Sequence, residues 1–175
     1  QLFVLGALAG AFIAFGALFY LLTVTDSTLG YGPTRLLGGV AFSLGLILVV
    51  VAGAELFTGN NLIVLAYAHG QIPMLAMLRN WAVVYAANLV GSLIMVVAAL
   101  GSGILDGAMA ETAMAVAKGK AGLSPLEALI RGILCNTLVC LAVWLSYAAR
   151  RVSGKVLAIV FPIAGFVALG FEHPV

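Results

Sequence analysis

Apolar residues fill five stretches of the chain, and polar or glycine-rich segments separate them. The stretches cover residues 2–24, 36–54, 81–100, 126–148 and 156–171. A helix of about 20 apolar residues crosses the hydrocarbon core of a bilayer, which is about 30 Å thick. We therefore predict that each stretch forms a membrane-spanning helix. Residues 102–123 are more polar and are predicted to form an extramembrane loop with some helical character.

The second apolar stretch belongs to a run that is too long for one crossing. Apolar residues continue from Leu36 to Ala68, and at about 1.5 Å per helical residue such a run would extend roughly 50 Å. The segment Gly53–Asn61 interrupts it with a carboxylate, Glu55, and with turn-forming residues. We predict that the helix breaks here and that 55–68 continues it. Irregular backbone at this depth is stable only if it is buried or lines a cavity, so the break indicates a pathway.

The composition excludes an ordinary soluble domain. Hydrophobic residues make up 64% of the chain and charged residues only 8%, whereas about 25% of the residues of a soluble domain are charged. The chain is therefore predicted to be a polytopic membrane protein in contact with a lipid bilayer. A net charge of +2, without a basic tract, argues against nucleic acid as a partner. Cys135 and Cys140 lack metal-site spacing, so neither a metal nor a cofactor is predicted.

Basic residues indicate the orientation in the membrane. Arg150, Arg151 and Lys155 follow the fourth apolar stretch closely, and short loops rich in Lys and Arg stay on the cytoplasmic side. The segments 26–35 and 102–122 are nearly balanced in charge, which places them on the opposite side.

The chain divides into two halves with a similar plan. Each half begins with one plain span, and a second span follows that reaches a Gly-x-Glu motif, at Gly53–Glu55 and at Gly170–Glu172. An odd number of crossings per half gives the two halves opposite orientations, so the pattern predicts an inverted repeat with a site near the midplane. By that symmetry a half-helix and a sixth span would follow Val175, and both are absent from this chain.

Three motifs carry a family resemblance. The segments 52–60 (Ala-Gly-Ala-Glu-Leu-Phe-Thr-Gly-Asn), 132–142 and 170–175 resemble the signatures of the formate/nitrite transporter family, and the likeness extends over essentially the whole chain. The resemblance implies an all-α fold with an aquaporin-like inverted repeat of three plus three spans and broken second and fifth helices. It also implies a homopentamer in the inner (plasma) membrane, with one pore per protomer, that passes small monovalent anions: formate, nitrite or hydrosulfide.

The resemblance also implies roles for individual side chains. Leu56 and Phe57 would narrow the pore, and Thr58 would face a central histidine, His173. The other matching pathway positions, which are apolar at the constrictions and polar elsewhere, are Phe42, Leu46, Phe166, Asn136 and Lys120.

The chemistry of the ionisable residues allows several interpretations. An imidazole changes charge near neutral pH, so His173 would either donate a hydrogen bond to the anion or give it a proton. Glu55 and Glu172 would repel an anion, and we expect each to accept hydrogen bonds from backbone donors that the break sets free. Thr58 is also suited to cap the following half-helix, and Lys120 is also compatible with a solvated loop position.

The predicted function is a channel, passive or proton-coupled, for small monovalent anions with formate favoured. Nitrite and hydrosulfide channels share the same motifs and are alternatives. A neutral-solute channel of the aquaporin kind would require paired Asn-Pro-Ala motifs, which the sequence lacks. An intramembrane enzyme would need a nucleophile or a metal cluster, so no enzymatic activity is predicted.

Overall fold

The computed structural model describes residues 1–171, and Glu172 and His173 lie outside the described residues. Within that range every regular element is a helix. In chain order they are α1 Leu2–Val24, α2 Tyr31–Ala52, α3 Phe57–Asn60, α4 Ile63–Ala68, α5 Met74–Gly101, α6 Gly107–Ala121, α7 Pro125–Ala148 and α8 Val152–Leu169.

Five of these helices are long and apolar enough to cross a membrane. They are α1, α2, α5, α7 and α8. Large apolar side chains are exposed along all of them, because a helix in lipid needs no polar outer face. The protein is therefore a multi-pass membrane protein, and α6 lies within the polar segment 102–123.

Three of the long helices begin several residues earlier than the apolar pattern indicates: α8 begins at Val152 rather than at Val156, and the difference is larger for α2 and α5. α2 begins at Tyr31 rather than at Leu36, with Pro33 in its first turn, where the missing N–H of a proline costs nothing. α5 begins at Met74 rather than at Trp81. The polar residues that separate apolar stretches in the sequence therefore lie inside helices at these two places.

Small residues bring the long helices close together. α1 packs between α5 and α2, and α8 packs between α2 and α7. At the α1–α5 crossing, a Cβ on Gly10 would overlap the backbone of Asn88, and a Cβ on Gly91 would overlap the carbonyl of Ala7. Only glycine permits this approach, and close backbone packing is a main source of helix association in lipid.

Candidate functional site

The segment 53–62 leaves the end of α2 and turns into the bundle. Gly53 ends α2 in the left-handed conformation, with φ 70° and ψ 34°, which glycine adopts without steric cost. The Ala54 N–H donates back to the Val49 carbonyl at 2.9 Å, and the Glu55 N–H donates to the Leu5 carbonyl of α1 at 3.2 Å. The first two backbone N–H groups after Gly53 therefore find acceptors on α2 itself and on α1.

Asn88 of α5 fixes both sides of Leu56 in this segment. Its side chain is fully buried. Asn88 Oδ1 accepts from the Phe57 N–H at 2.9 Å, and Asn88 Nδ2 donates to the Glu55 carbonyl at 2.9 Å and to the Gly6 carbonyl of α1 at 2.8 Å. One amide thus joins α1, α5 and the non-helical backbone between α2 and α3, because its acceptor and its donors all bond to backbone groups of these segments.

Asn60 holds the other end of the segment. Its Nδ2 donates to Glu55 Oε2 at 2.7 Å and to Asn80 Oδ1 at 3.0 Å, and its carbonyl accepts from Trp81 Nε1 at 2.9 Å. Within residues 1–171 the Glu55 carboxylate accepts from this side-chain amide and not from the backbone donors that we expected. Its contact ties the two ends of the turn to each other.

Leu56 and Phe57 are adjacent in sequence but point into different surroundings. Leu56 is buried in the main apolar cluster together with Leu46 and Phe166, and Phe42 packs against that cluster. The Phe42 and Phe166 rings meet edge to face, with centroids 5.8 Å apart and planes at 84°. Phe57 instead packs against Tyr85 of α5, with centroids 5.2 Å apart. The structure brings four of the predicted narrowing residues together and places Phe57 apart from them.

Thr58 carries a buried hydroxyl. Its side chain is fully buried, yet within residues 1–171 its Oγ1 has no hydrogen-bond partner. The hydroxyl does not cap α4, whose N-cap is Leu62 with no side-chain bond. The Thr58 carbonyl accepts from Cys140 Sγ of α7 at 3.4 Å. A buried polar group without a partner costs about 1–3 kcal/mol, so this position calls for a functional explanation.

Asn136 lies beside an open groove between α7 and the segment 53–62. The groove has a volume of about 740 Å³, and Asn61, Leu62 and Cys140 also line it. Asn136 Oδ1 is buried and has no partner among the described residues. Asn136 therefore lines the groove while its Oδ1 is buried beside it, without a hydrogen-bond partner in residues 1–171.

Lys120 lies in the last turn of α6, where its side chain is exposed. Across residues 1–171, no cluster of three His, Cys, Asp or Glu side chains is arranged to hold a metal ion.

Asn88 holds this segment, and the sequence pattern predicts no role for it. It stands within the third apolar stretch, between Ala87 and Leu89. The signal was available, since an amide at membrane depth is expensive unless every donor and acceptor is satisfied. The sequence alone could not name its partners, because they lie 31, 33 and 82 positions away.

Comparisons with known proteins find relatives that are similar in sequence and in fold. Formate channel FocA of Haemophilus influenzae is 44% identical over 175 residues, covering 98% of this chain and 62% of the relative. Formate channel FocA of Escherichia coli K12 is 43% identical over 177 residues, covering 99% and 62%. A solved structure described as a pentameric formate channel with formate bound is 44% identical, with a TM-score of 0.93, and the match covers 98% of this chain and 69% of that one.

The relatives are longer than this chain, and the family match covers all of this chain. The chain spans 62% of the length of the two curated relatives. The family model described as formate/nitrite transporter matches residues 1–175. The chain therefore belongs to the formate/nitrite transporter family.

Proposed function

We propose that this protein is a channel, and not an enzyme, that conducts small monovalent anions across the inner (plasma) membrane, with formate as the favoured substrate. Membership of the family and the formate channels at 43–44% identity support this proposal. The solved relative described as pentameric supports a homopentamer.

The observation that carries the proposal is the Thr58 hydroxyl. It is fully buried, and within residues 1–171 it has no partner. Thr58 follows Phe57 directly and is two residues after Leu56, which belongs to the apolar cluster. An anion that crosses an apolar narrowing must lose water, and a hydrogen-bond donor waiting beside the narrowing replaces part of that hydration. A hydroxyl left without a partner in the protein is suited to this task.

The pathway that we propose runs from this hydroxyl past the apolar cluster. Leu56, Leu46 and the Phe42–Phe166 ring pair form its narrow part, and Phe57 lies at its edge against Tyr85. Asn136 offers a second polar group from the groove on α7. The resemblance supports this role, and the group of Asn136 that could donate to an anion is its Nδ2 amide.

His173 and Lys120 complete the proposal on the strength of the resemblance. His173 meets the anion centrally, as a hydrogen-bond donor or as a proton donor, and Lys120 attracts anions toward the mouth. The contribution of His173 to anion flux should depend on pH, because an imidazole changes charge near neutral pH. The contribution of Lys120 should depend on salt concentration, because salt screens an exposed charge.

We further propose that the two halves form an inverted repeat with broken second and fifth helices. The ends of α2 and α8 support this idea. Gly53 and Gly170 have nearly the same left-handed conformation, with φ 70° and ψ 34° in one and φ 77° and ψ 30° in the other. After each glycine, the next N–H donates five residues back, from Ala54 to Val49 and from Phe171 to Phe166. Glu55 and Glu172 then stabilise corresponding breaks.

The proposal is tested by flux into proteoliposomes. Uptake of formate, nitrite and hydrosulfide is compared with uptake of water and glycerol, using empty vesicles as the control. We expect saturable anion flux with formate the best substrate among the three. Saturable glycerol flux without anion flux would contradict the proposal and favour the neutral-solute channel.

A further inference from the structure

We propose that Arg35 binds the conducted anion at one end of the pathway and selects planar anions with two oxygens, formate and nitrite, over hydrosulfide. This inference rests on the proposed function. Arg35 would bind the anion before the anion enters the apolar narrowing.

The position of Arg35 follows from the packing of α2 on α8. The two helices approach most closely at Gly39, where an added Cβ would lie 2.7 Å from the Ala164 carbonyl oxygen. Arg35 is one helical turn from Gly39 toward the start of α2, and Phe42 is about one turn away in the other direction. Along α2, Arg35 and Phe42 therefore lie on either side of this crossing, and along α8 Phe166, whose ring meets that of Phe42, directly precedes Val167.

The guanidinium is anchored on the last turn of α8. Arg35 Nη2 donates to the Val167 carbonyl at 3.0 Å, and Arg35 Nε donates to the Ala168 carbonyl at 3.3 Å. The Tyr31 ring centroid is 5.8 Å from its Cζ. These contacts fix one edge of the planar group, and they are the hydrogen bonds that Arg35 makes within residues 1–171. Because the side chain is already ordered, an anion bound there costs little further conformational entropy.

Within residues 1–171, the charged side chains that contact the end of α8 are two guanidinium groups, Arg35 and Arg131. The C-terminal end of a helix carries about −0.5 of a charge, and Arg35 sets a full positive charge against it. Within residues 1–171 the partners of Arg35 are two carbonyls and an aromatic ring, and none is a carboxylate. Arg131 of α7 donates from Nη1 to the Gly170 carbonyl at 3.4 Å, so a second guanidinium reaches the same end of α8.

The shape of the guanidinium explains the proposed preference. Two parallel N–H groups match the two oxygens of a planar anion, which binds them in a bidentate fork. Formate and nitrite have that shape, whereas hydrosulfide offers a single sulfur atom. Arg35 would therefore bind all three by charge but discriminate among them by geometry.

The test measures concentration-dependent uptake into vesicles of phosphatidylethanolamine and phosphatidylglycerol for the wild type, Arg35→Gln and Arg35→Lys. We expect Arg35→Gln to raise the half-saturating formate concentration about tenfold or more, with a smaller change in maximal flux. Arg35→Lys keeps the charge but loses the fork, so it should retain salt-dependent uptake while the preference for formate over hydrosulfide falls. Arg150→Gln removes the same charge from an exposed position just before the start of α8, whereas Arg35 contacts the end of α8, so this variant should behave as the wild type.

A purely structural clamp on α8 would give a different result. In that case both Arg35 variants would lower the thermal midpoint and the maximal flux, with unchanged half-saturation and an unchanged formate-to-hydrosulfide ratio. That outcome would overturn the inference.

Labelling with phenylglyoxal, a reagent for guanidinium groups, separates this inference from the proposed function. We expect formate, but not glycerol, to protect Arg35 and to leave Arg150 unprotected, as read by mass spectrometry. Protection without any flux would contradict the channel and leave the anion site standing. Formate flux without protection, and with unchanged half-saturation in Arg35→Gln, would overturn the anion site and leave the channel standing.

Discussion

Asn88→Leu tests whether one buried amide holds the segment 53–62 in place. Leucine has nearly the same size and branching as asparagine, so the substitution removes hydrogen bonds without opening a large cavity. Three bonds are lost, to the Phe57 N–H and to the carbonyls of Glu55 and Gly6. At about 1 kcal/mol each they contribute about 3 kcal/mol, and at the average of about 0.6 kcal/mol found for helix contacts in membranes they contribute about 2 kcal/mol.

We therefore expect Asn88→Leu to lower the free energy of unfolding by about 2–3 kcal/mol and to reduce formate flux. Equilibrium unfolding of the purified protein in mixed detergent micelles, followed by circular dichroism, measures the first quantity. Ser92→Ala is a matched control one turn along α5, since within residues 1–171 Ser92 Oγ bonds the Gly10 and Asn88 carbonyls, at 3.2 and 2.9 Å, and makes no hydrogen bond to the segment 53–62. A loss for Asn88→Leu no larger than the loss for Ser92→Ala would refute this account of the segment.

Three further predictions concern packing, the narrowing and pH. Gly91→Ala drives a Cβ into the Ala7 carbonyl and should lower the free energy of unfolding by about 1–3 kcal/mol or more. Within residues 1–171 a Cβ on Gly165 meets nothing within 4 Å, so Gly165→Ala should leave the free energy of unfolding unchanged or raise it by up to about 1 kcal/mol. Equal losses for the two variants would contradict the assigned crossing. Phe42→Ala removes an edge-to-face pair worth about 0.5–1.5 kcal/mol and should let the bulkier acetate through, and continued exclusion of acetate would count against a narrowing here. His173→Phe should flatten the pH dependence of formate flux while the oligomer persists by size-exclusion chromatography, and an unchanged pH profile would argue for a structural histidine.

The membrane-spanning helices could be predicted from the sequence because hydropathy is a local property. Five apolar stretches predicted five spans, and five helices of α1–α8 have the required length and apolarity. The ends were harder to place. Tyr31–Thr34 and Met74–Asn80 contain glycine, proline or charge, and their helical state depends on the helix that each continues.

The contacts of the segment 53–62 could not be predicted because they depend on which helices become neighbours. Nothing local links Phe57 to Asn88 or Glu55 to Leu5. The sequence also treats Leu56 and Phe57 as an equivalent apolar pair. Leu56 has an extended backbone, with φ −102° and ψ 129°, and neighbouring side chains on extended backbone point in opposite directions. That geometry places one in the apolar cluster and the other against Tyr85.

The central claim is that the Thr58 hydroxyl serves the passing anion and not the fold, and Thr58→Val tests it most directly. The hydroxyl has no partner in residues 1–171, so the variant should unfold at the same denaturant concentration as the wild type or a higher one. A hydrogen bond to a charged group is worth about 1.5–3 kcal/mol, so formate flux into proteoliposomes should fall roughly tenfold to a hundredfold, and Thr58→Ser should restore it. Unchanged flux, or flux that falls only in proportion to a loss of stability, would contradict the claim.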